Sequence, residues 1–560
     1  MKKIFCAVIL FCLSGTLVVS QTIDWVTNTT SSNYSTTMKD GLLCDNAGNI
    51  IFQTGHKDTS LFCGDETIFK QTSANIFKLS AQGTEIWRKS IYATKSLSIG
   101  GITVDDQNSI YVVGWTAVGT DTIWVADQQY IMPDTANNVF LWKMKSDGSS
   151  DFFKYFSGSF NGFNDIVVDD QKDIYILGAY EKYFFIGDTV LYSSLTPSGF
   201  YTYIRNFFVA KFDSLGDYIK ISDLRGSQEN SNSGVMNNMA IDAQGNIFMA
   251  GSFRDSLKIG SQTIYSSGNS DMVVIKFDGE LNVKWIEKDV SPLAGISISD
   301  LKVDDAGNVY VSGTYNCPTS FDGITINPVG ALYGDAFIVK YDSSASALWT
   351  QTLGSTKYLS NGTRIELADD NTLYWGGTYA DSTIFGDTVL YVSGIQSYCT
   401  NAYISKLSAD GDIESVFTIN SESPLGNGIQ SLDYQSPNTL WVSGIFAQNL
   451  IFRDSIILTV ENQEAFLLKY GENGVSEVRE EFQKPESGVL IFPNPVDNNL
   501  IIEKLEGEGS LRIYNCLAEQ VFSGDYQNPH VELLLSELLP GVYFLVVEGH
   551  TNARIAFIKQ

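Results

Sequence analysis

Histidine is nearly missing from these 560 residues, occurring only as His56, His530 and His550. Ser/His/Asp triads and histidine-based metal sites therefore lack parts, because each needs an imidazole held beside its partners. Basic residues are scarce too: 36 Lys and Arg stand against 64 Asp and Glu, a formal net charge of −28. Such a balance repels a phosphate backbone and argues against nucleic acid as a partner. It suits solubility outside a cell. Proline is held to 12 residues while Tyr, Phe, Gly, Ser and Thr abound, the composition of an ordered, strand-rich chain. No segment reaches the roughly 20 apolar residues of a membrane-crossing helix. The longest early run, Ile4 to Leu13, follows Lys2 and Lys3 and is followed by Val18-Val19-Ser20, the three-part pattern of a secretory signal peptide over residues 1–20. Cys12 follows Phe11 rather than a small residue, so a lipid anchor is not expected. Removing Lys2 and Lys3 leaves 34 basic against 64 acidic residues, a charge of −30.

Beyond the leader, cysteine is reduced to Cys44, Cys63, Cys317, Cys399 and Cys516. An odd number without paired short spacing does not make a disulfide framework. Bridges between Cys44 and Cys63 or between Cys317 and Cys399 stay open in an oxidising compartment. Cys44 occupies a place that other parts of the chain fill with Val104, Val168, Ile241 and Val303, so it reads as a small buried apolar residue.

Those equivalences come from an internal repeat. DDQNSIYVVG (105–114), DDQKDIYILG (169–178), DAQGNIFMAG (242–251) and DDAGNVYVSG (304–313) align without gaps, and weaker copies end at Gly55, Gly377 and Gly444. The count is seven, with closing glycines 59 to 73 residues apart, a spacing that points to stacked or circular repeats. Each copy reads as a hairpin of two strands joined by an Asp/Gly/Asn turn. A calcium loop would need acidic residues at alternating positions and an acidic closing ligand, so no metal is expected. Two further strands follow. One carries a single lysine per unit (Lys78, Lys143, Lys211, Lys276, Lys340, Lys406, Lys469) and the other often a tryptophan (Trp87, Trp285, Trp349). Between them short segments such as GDTVL (187–191 and 386–390) recur and read as an extra connection. The last unit stops at Gly474 without its tryptophan strand, while the start TIDWVTN supplies Trp25 with no unit before it. A ring in which the first strand completes the last sheet leaves no bare edge.

The units DAF-x-x-K, turn, Trp, then VD-x-x-GN-x-YV-x-G resemble the bacterial β-propeller repeat family. That resemblance implies a seven-bladed β-propeller over residues 21–474. A charged linker, VSEVREEFQKPESG, follows at 475–488. Residues 489–560 break the pattern and give about seven short strands, enough for a small Ig-like β-sandwich. With Pro493, Asn494 and Pro495 in FPNP, RIYN at 512–515, Gly541 and Tyr543 in LLPGVYF, and Lys559 near the end, this segment resembles the type A sorting domain of the type IX secretion system of Bacteroidetes. The resemblance implies export to the periplasm, passage through the type IX machinery as partner, and removal of the domain at the surface. Ala518 stands where that family usually has glycine. Taken without the motif, the same stretch reads as an Ig-like adhesion domain.

Aligning the first strand of each unit separates two faces. One is apolar, with Leu42, Ile102, Ile166, Met239, Leu301, Ile365 and Leu432 at one level, and is expected to pack between blades. The other carries Gly41, Gly101, Asp165, Asn238, Asp300, Arg364 and Ser431, then Leu43, Thr103, Val167, Ala240, Lys302, Glu366 and Asp433, and is expected to line the central channel. Asp165, Asn238, Asp300, Lys302, Arg364, Glu366 and Asp433 are thus candidate ligand-binding residues for a glycan or peptide. The competing reading is a set of ion pairs that satisfy one another. Trp124, Tyr130 and Met132 in the second unit offer a further loop surface. No catalytic residue, cofactor or metal is assigned. The reading is a secreted or surface-displayed, monomeric binding or scaffold protein. The alternatives are a polysaccharide hydrolase or lyase using channel carboxylates and a purely structural surface component.

Overall fold

The structure, a computed structural model, describes residues 20–28, 30–31, 36–56, 60–62, 65–67, 73–126, 128–132, 137–159, 162–194, 203–227, 234–291, 295–329, 334–355, 361–380, 382–385, 388–391, 400–421, 427–452, 455–473, 490–492, 499–503, 505, 507–515, 520–536, 538, 541–549 and 553–559. Residues 1–19 of the signal-peptide segment, the linker at 475–488, Pro493, Asn494, Pro495, Ala518, Cys63, Cys399 and Cys516 lie outside them. Two compact units divide the chain, 1–475 and 476–560.

Among the described residues the fold is all-β without helix. The first unit is a succession of antiparallel four-stranded meanders. In the fifth, for example, Ile296–Val303 pairs with Val309–Tyr315, which pairs with Asp335–Tyr341, which pairs with Ala347–Ser355. The other meanders open on inner strands Thr36–Cys44, Leu97–Val104, Gly162–Val168, Gly234–Ile241, Asn361–Leu367 and Gly428–Gln435. In the seventh, Gly428–Gln435, Thr439–Phe452 and Ser455–Asn473 take Ser20–Asn28 as fourth strand, with Trp25 opposite Lys469 and Asn28 opposite Phe466. The unmatched start and unmatched end of the repeat therefore meet.

Buried apolar side chains form one cluster between each pair of consecutive meanders. A further cluster joins Trp441 and Leu467 of the seventh to Leu42, Ile50, Phe52 and Phe77 of the first. Each sheet thus buries both faces, the arrangement of a β-propeller.

The turns and glycines of the repeat have local causes. Asp45 accepts the amides of Ala47 and Asn49, and Asp105, Asp242 and Asp304 do the same in their own hairpins. The Asp is turn chemistry, as its spacing implied. The closing glycine sits on the second strand where the inner strand bulges. A Cβ at Gly313 would stand 2.2 Å from the Ser297 carbonyl oxygen, and one at Gly377 1.9 Å from that of Asn361. No side chain fits there.

The once-per-unit lysines tie neighbouring sheets. Lys78 pairs with Asp45 at 2.7 Å and donates to the Ser146 carbonyl of the next meander, which Trp87 Nε1 also reaches at 3.1 Å. Lys340 and Trp349 share the Ala409 carbonyl in the same way. At these two seams one carbonyl collects both the lysine and the tryptophan donor.

Two expectations change. The GDTVL-type segment is not a simple connection: it is the second half of a hairpin that extends the sheet of the preceding unit. Thr189–Tyr192 pairs with Tyr183–Ile186, and the latter with Ser150–Gly158. Nor do the inner strands keep one face for a channel. Leu43 packs in the cluster with Ile102, and Val167 in that with Met239. An inner strand lies between two blades, so its period-two faces meet the previous and the next sheet, and only its edge turns to the axis.

The C-terminal unit pairs Leu490–Phe492, Asn499–Glu503 and His530–Leu534 in one sheet and Gln520–Tyr526, Gly509–Asn515, Gly541–Gly549 and Ala553–Lys559 in another. Leu500, Ile502, Leu511, Ile513, Tyr543 and Leu545 form its core. Gly541 stands opposite Lys559, whose side chain is buried.

Candidate functional site

Every inner strand from the second to the seventh carries a one-residue register shift near its middle. The shift falls between Phe163 and Asp165, Met236 and Asn238, Ile298 and Asp300, Gly362 and Arg364, and Ile429 and Ser431. A bulge of this kind re-aims the side chain beside it. Four of the seven predicted residues, Asp165, Asn238, Asp300 and Arg364, stand immediately after such a bulge.

Their partners are largely backbone. Asp300 Oδ1 accepts the Leu301 amide at 2.8 Å, and Oδ2 accepts the Ile365 amide of the next inner strand at 3.0 Å. Asp165 repeats this with Ile166 at 2.8 Å and Met239 at 2.7 Å. Arg364 donates to the carbonyls of Gln430 at 2.6 Å and Ser299 at 3.1 Å, and also to that of Thr363, joining three inner strands. Asn238 is buried. These groups lace inner strands to one another.

The other three lie near the hairpin-turn end. Lys302 Nζ meets Glu366 Oε2 at 2.5 Å. Burial alone would lower the Lys302 pKa, but Glu366 and Asp300 raise it above the ordinary lysine value. Burial also raises the carboxyl of Glu366, against the pull of Lys302. Asp433 does not join that pair as a salt bridge. It takes the thiol and amide of Cys44, across the seam between the last sheet and the first, and burial followed by repulsion from Glu366 pushes its pKa up to about 7. Burial likewise raises the Cys44 thiol. Cys44 and Cys317 are free thiols, so neither bridge left open by the sequence is formed. Among the described residues no group of acidic, His or Cys side chains has the arrangement of a metal site. Trp124 stacks on Tyr92 at 5.1 Å, Tyr130 lies 4.6 Å from Phe153, and Met132 is buried, so these three are packing residues.

Open space lies at the opposite end of the sheets, where inner strands begin and second strands finish. Along Ile296–Val303 that is roughly 15–20 Å from Lys302, at about 3.3 Å per residue. A cleft of 460 Å³ spans the second, third and fourth meanders and is lined by Trp115, Asn137, Asn164, Glu181, Arg205, Phe207 and Asn237 among others. Arg205 sends Nε and Nη2 to Glu181 Oε1 at 3.1 and 2.9 Å. A second cleft of 380 Å³ adjoins it through Val235, between the fourth and fifth meanders, with Ser252, Arg254, Ser270, Ser297, Thr314 and Asn316 in its wall. Both volumes fall in the range of ligand sites. Of the seven predicted residues, none lines either cleft. Asn164 and Asn237, which do, are the bulged residues just before Asp165 and Asn238. The bulge was the missing signal, because a strict two-residue alternation assigns those amides to the packed face.

Residues 490–559 match the family of the secretion system C-terminal sorting domain. The type IX sorting tail directs a chain to the cell surface or to secretion, and implies contact with the secretion machinery. No helix among the described residues is long and apolar enough to cross a membrane. In sequence, no curated protein matches. Among solved structures, an ulvan lyase of polysaccharide lyase family PL25 is similar at 11% identity over 80% of this chain and 96% of its own, with a TM-score of 0.40. PorZ, a surface component of the type IX secretion system of Porphyromonas gingivalis, shares 10% identity over 94% of this chain and 100% of its own, TM-score 0.13. Regucalcin from Agrobacterium tumefaciens shares 10% over 61% of this chain and 83% of its own, TM-score 0.26. Likenesses this distant transfer no activity.

Proposed function

We propose that this chain is a surface-displayed or secreted binding protein that takes a glycan on the end of the propeller holding the two adjoining clefts. The observation that carries the reading is the make-up of the 460 Å³ cleft, where Asn137, Asn164 and Asn237, the Glu181–Arg205 pair and the indole of Trp115 converge. Amides both give and take hydrogen bonds, as sugar hydroxyls do, while the carboxylate accepts them and the guanidinium gives them. An indole offers an apolar plane beside them. In this reading the seven meanders are the blades of one closed propeller over 21–474, similar to the bacterial β-propeller repeat family. It follows a signal peptide at 1–20 and precedes a linker at 475–488 and a sorting domain at 489–560 that is removed at the surface. The mature protein is monomeric, since the repeat closes on itself.

A polysaccharide hydrolase or lyase working through inner-strand carboxylates is the second reading. It is favoured by the carboxyl of Asp433, which titrates near neutrality as a general base would. Against it, Asp165 and Asp300 spend both oxygens on backbone amides. The test is titration of the full-length chain against a panel of glycans, with Trp115→Ala and Arg205→Ala as variants checked for folding by far-UV circular dichroism. Loss of about tenfold or more in affinity with unchanged folding supports the cleft. Glycan binding indifferent to both variants, or depolymerisation abolished by Asp433→Asn, replaces this reading with another.

A further inference from the structure

The second cleft differs from the first in charge. Arg205 in the larger cleft is neutralised by Glu181. Arg254 in the smaller one has no carboxylate partner among the described residues, and no Asp or Glu lines that wall. A guanidinium stays charged at any physiological pH and presents five donors in a planar fork suited to a carboxylate or sulfate. Here it is half-buried in a recess of a chain whose net charge is −28, so the wall sets a positive group in a predominantly acidic protein. Recessed, low-dielectric walls focus the field of such a group. The other polar groups of the lining are hydroxyl and amide, Ser252, Ser270, Ser297, Thr314 and Asn316, beside the apolar Val235 and Ile296 and the ring of Tyr315. Hydroxyls and an amide around a guanidinium, with apolar groups beside them, match the mixed polar and apolar faces of a sugar ring.

Resting on the glycan-binding reading above, we propose that the Arg254 cleft receives the acidic group of an anionic polysaccharide, a uronate carboxylate or a sulfate ester, whose neighbouring units run into the Trp115 cleft. The two clefts meet at Val235, so one chain can occupy both. Arg254 is then the residue that separates acidic from neutral polymers, and Trp115 with Arg205 serves both.

The experiment is calorimetric titration of the full-length protein with polygalacturonate, alginate and a sulfated galactan, beside neutral galactan and dextran, with poly-glutamate as an acidic peptide. Arg254→Ala and Arg254→Lys are compared with the parent. At least one acidic polysaccharide should bind more tightly than both neutral polymers. Arg254→Ala should weaken it by about tenfold or more, as expected for loss of charged hydrogen bonds, and Arg254→Lys should restore part of that. The preferred polymer assigns the acid as carboxylate or sulfate. Neutral polymers bound as well as acidic ones, with sensitivity to Trp115→Ala but not to Arg254→Ala, overturn the proposal and leave the glycan reading standing. Tighter binding of poly-glutamate than of any polysaccharide overturns the ligand class. Failure to bind every polymer overturns both readings together.

Discussion

Replacing Asp300 with alanine asks whether the inner-strand carboxylates hold the ring together or hold a ligand. Asp300 is 5% exposed, and its two oxygens accept the amides of Leu301 and of Ile365 on the neighbouring inner strand. Hydrogen bonds to a charged group contribute about 1.5–3 kcal/mol each, and a buried amide left without acceptor costs a comparable amount. Asp300→Ala should therefore destabilise the propeller by about 3–5 kcal/mol, a large share of the about 5–15 kcal/mol typical of a folded protein. Asp300→Asn keeps a single carbonyl oxygen and should lose about half as much. Urea unfolding followed by tryptophan fluorescence reads both midpoints, and polysaccharide titration below the transition reads binding. The expected result is a lowered midpoint with affinity unchanged, because Asp300 lines neither cleft and both of its oxygens are taken by backbone amides. An unaltered midpoint together with lost binding would refute the reasoning and return Asp300 to the ligand site.

Two other perturbations test the seams. Asp433 holds its proton up to about pH 7, raised first by burial and then by Glu366, with Lys302 and Cys44 facing it as well. An unfolded aspartate titrates near 3.9, so the folded state binds the extra proton between those values. Stability should then fall as pH rises from about 4 to 7 and level off above. Asp433→Asn should remove that slope and gain about 1–3 kcal/mol at pH 8 relative to the parent; parallel pH profiles of the urea midpoint would contradict this. Lys78→Ala leaves Asp45 without the lysine that, against burial, draws its pKa down. Breaking such a buried pair costs about 3–5 kcal/mol, and a change in unfolding free energy below about 1 kcal/mol would show that the pair does not tie the seam.

Much of the architecture was legible because the repeat states its own boundaries. The Asp turn, the closing glycine and the lone lysine recur at the same places, and each has a backbone reason: an amide to cap, a carbonyl too close for a Cβ, a carbonyl of the next blade to reach. The spare strand around Trp25 was readable by the same counting. The partners of the polar inner-strand groups were not. Asp165, Asp300 and Arg364 look like ligand-binding groups in a sequence because a polar residue on an inner strand has no visible partner there. Those partners are amides and carbonyls of the next blade, some 65 to 75 residues away in the chain.

The sequence by itself determined that the chain is all-β, repeats one hairpin-based unit, and ends in a sorting domain, since these depend on local turn chemistry and short-range alternation. Tertiary structure alone decided which polar groups are held inside the ring and which face a cleft. Inner strands are buried on both faces, and the bulge before Asp165 and Asn238 turns Asn164 and Asn237 toward an open cleft. Meanwhile Arg205 finds Glu181, and Arg254 finds no carboxylate among the described residues. Whether a charge is neutralised depends on neighbours brought in from other blades, and no periodicity within one strand carries that information.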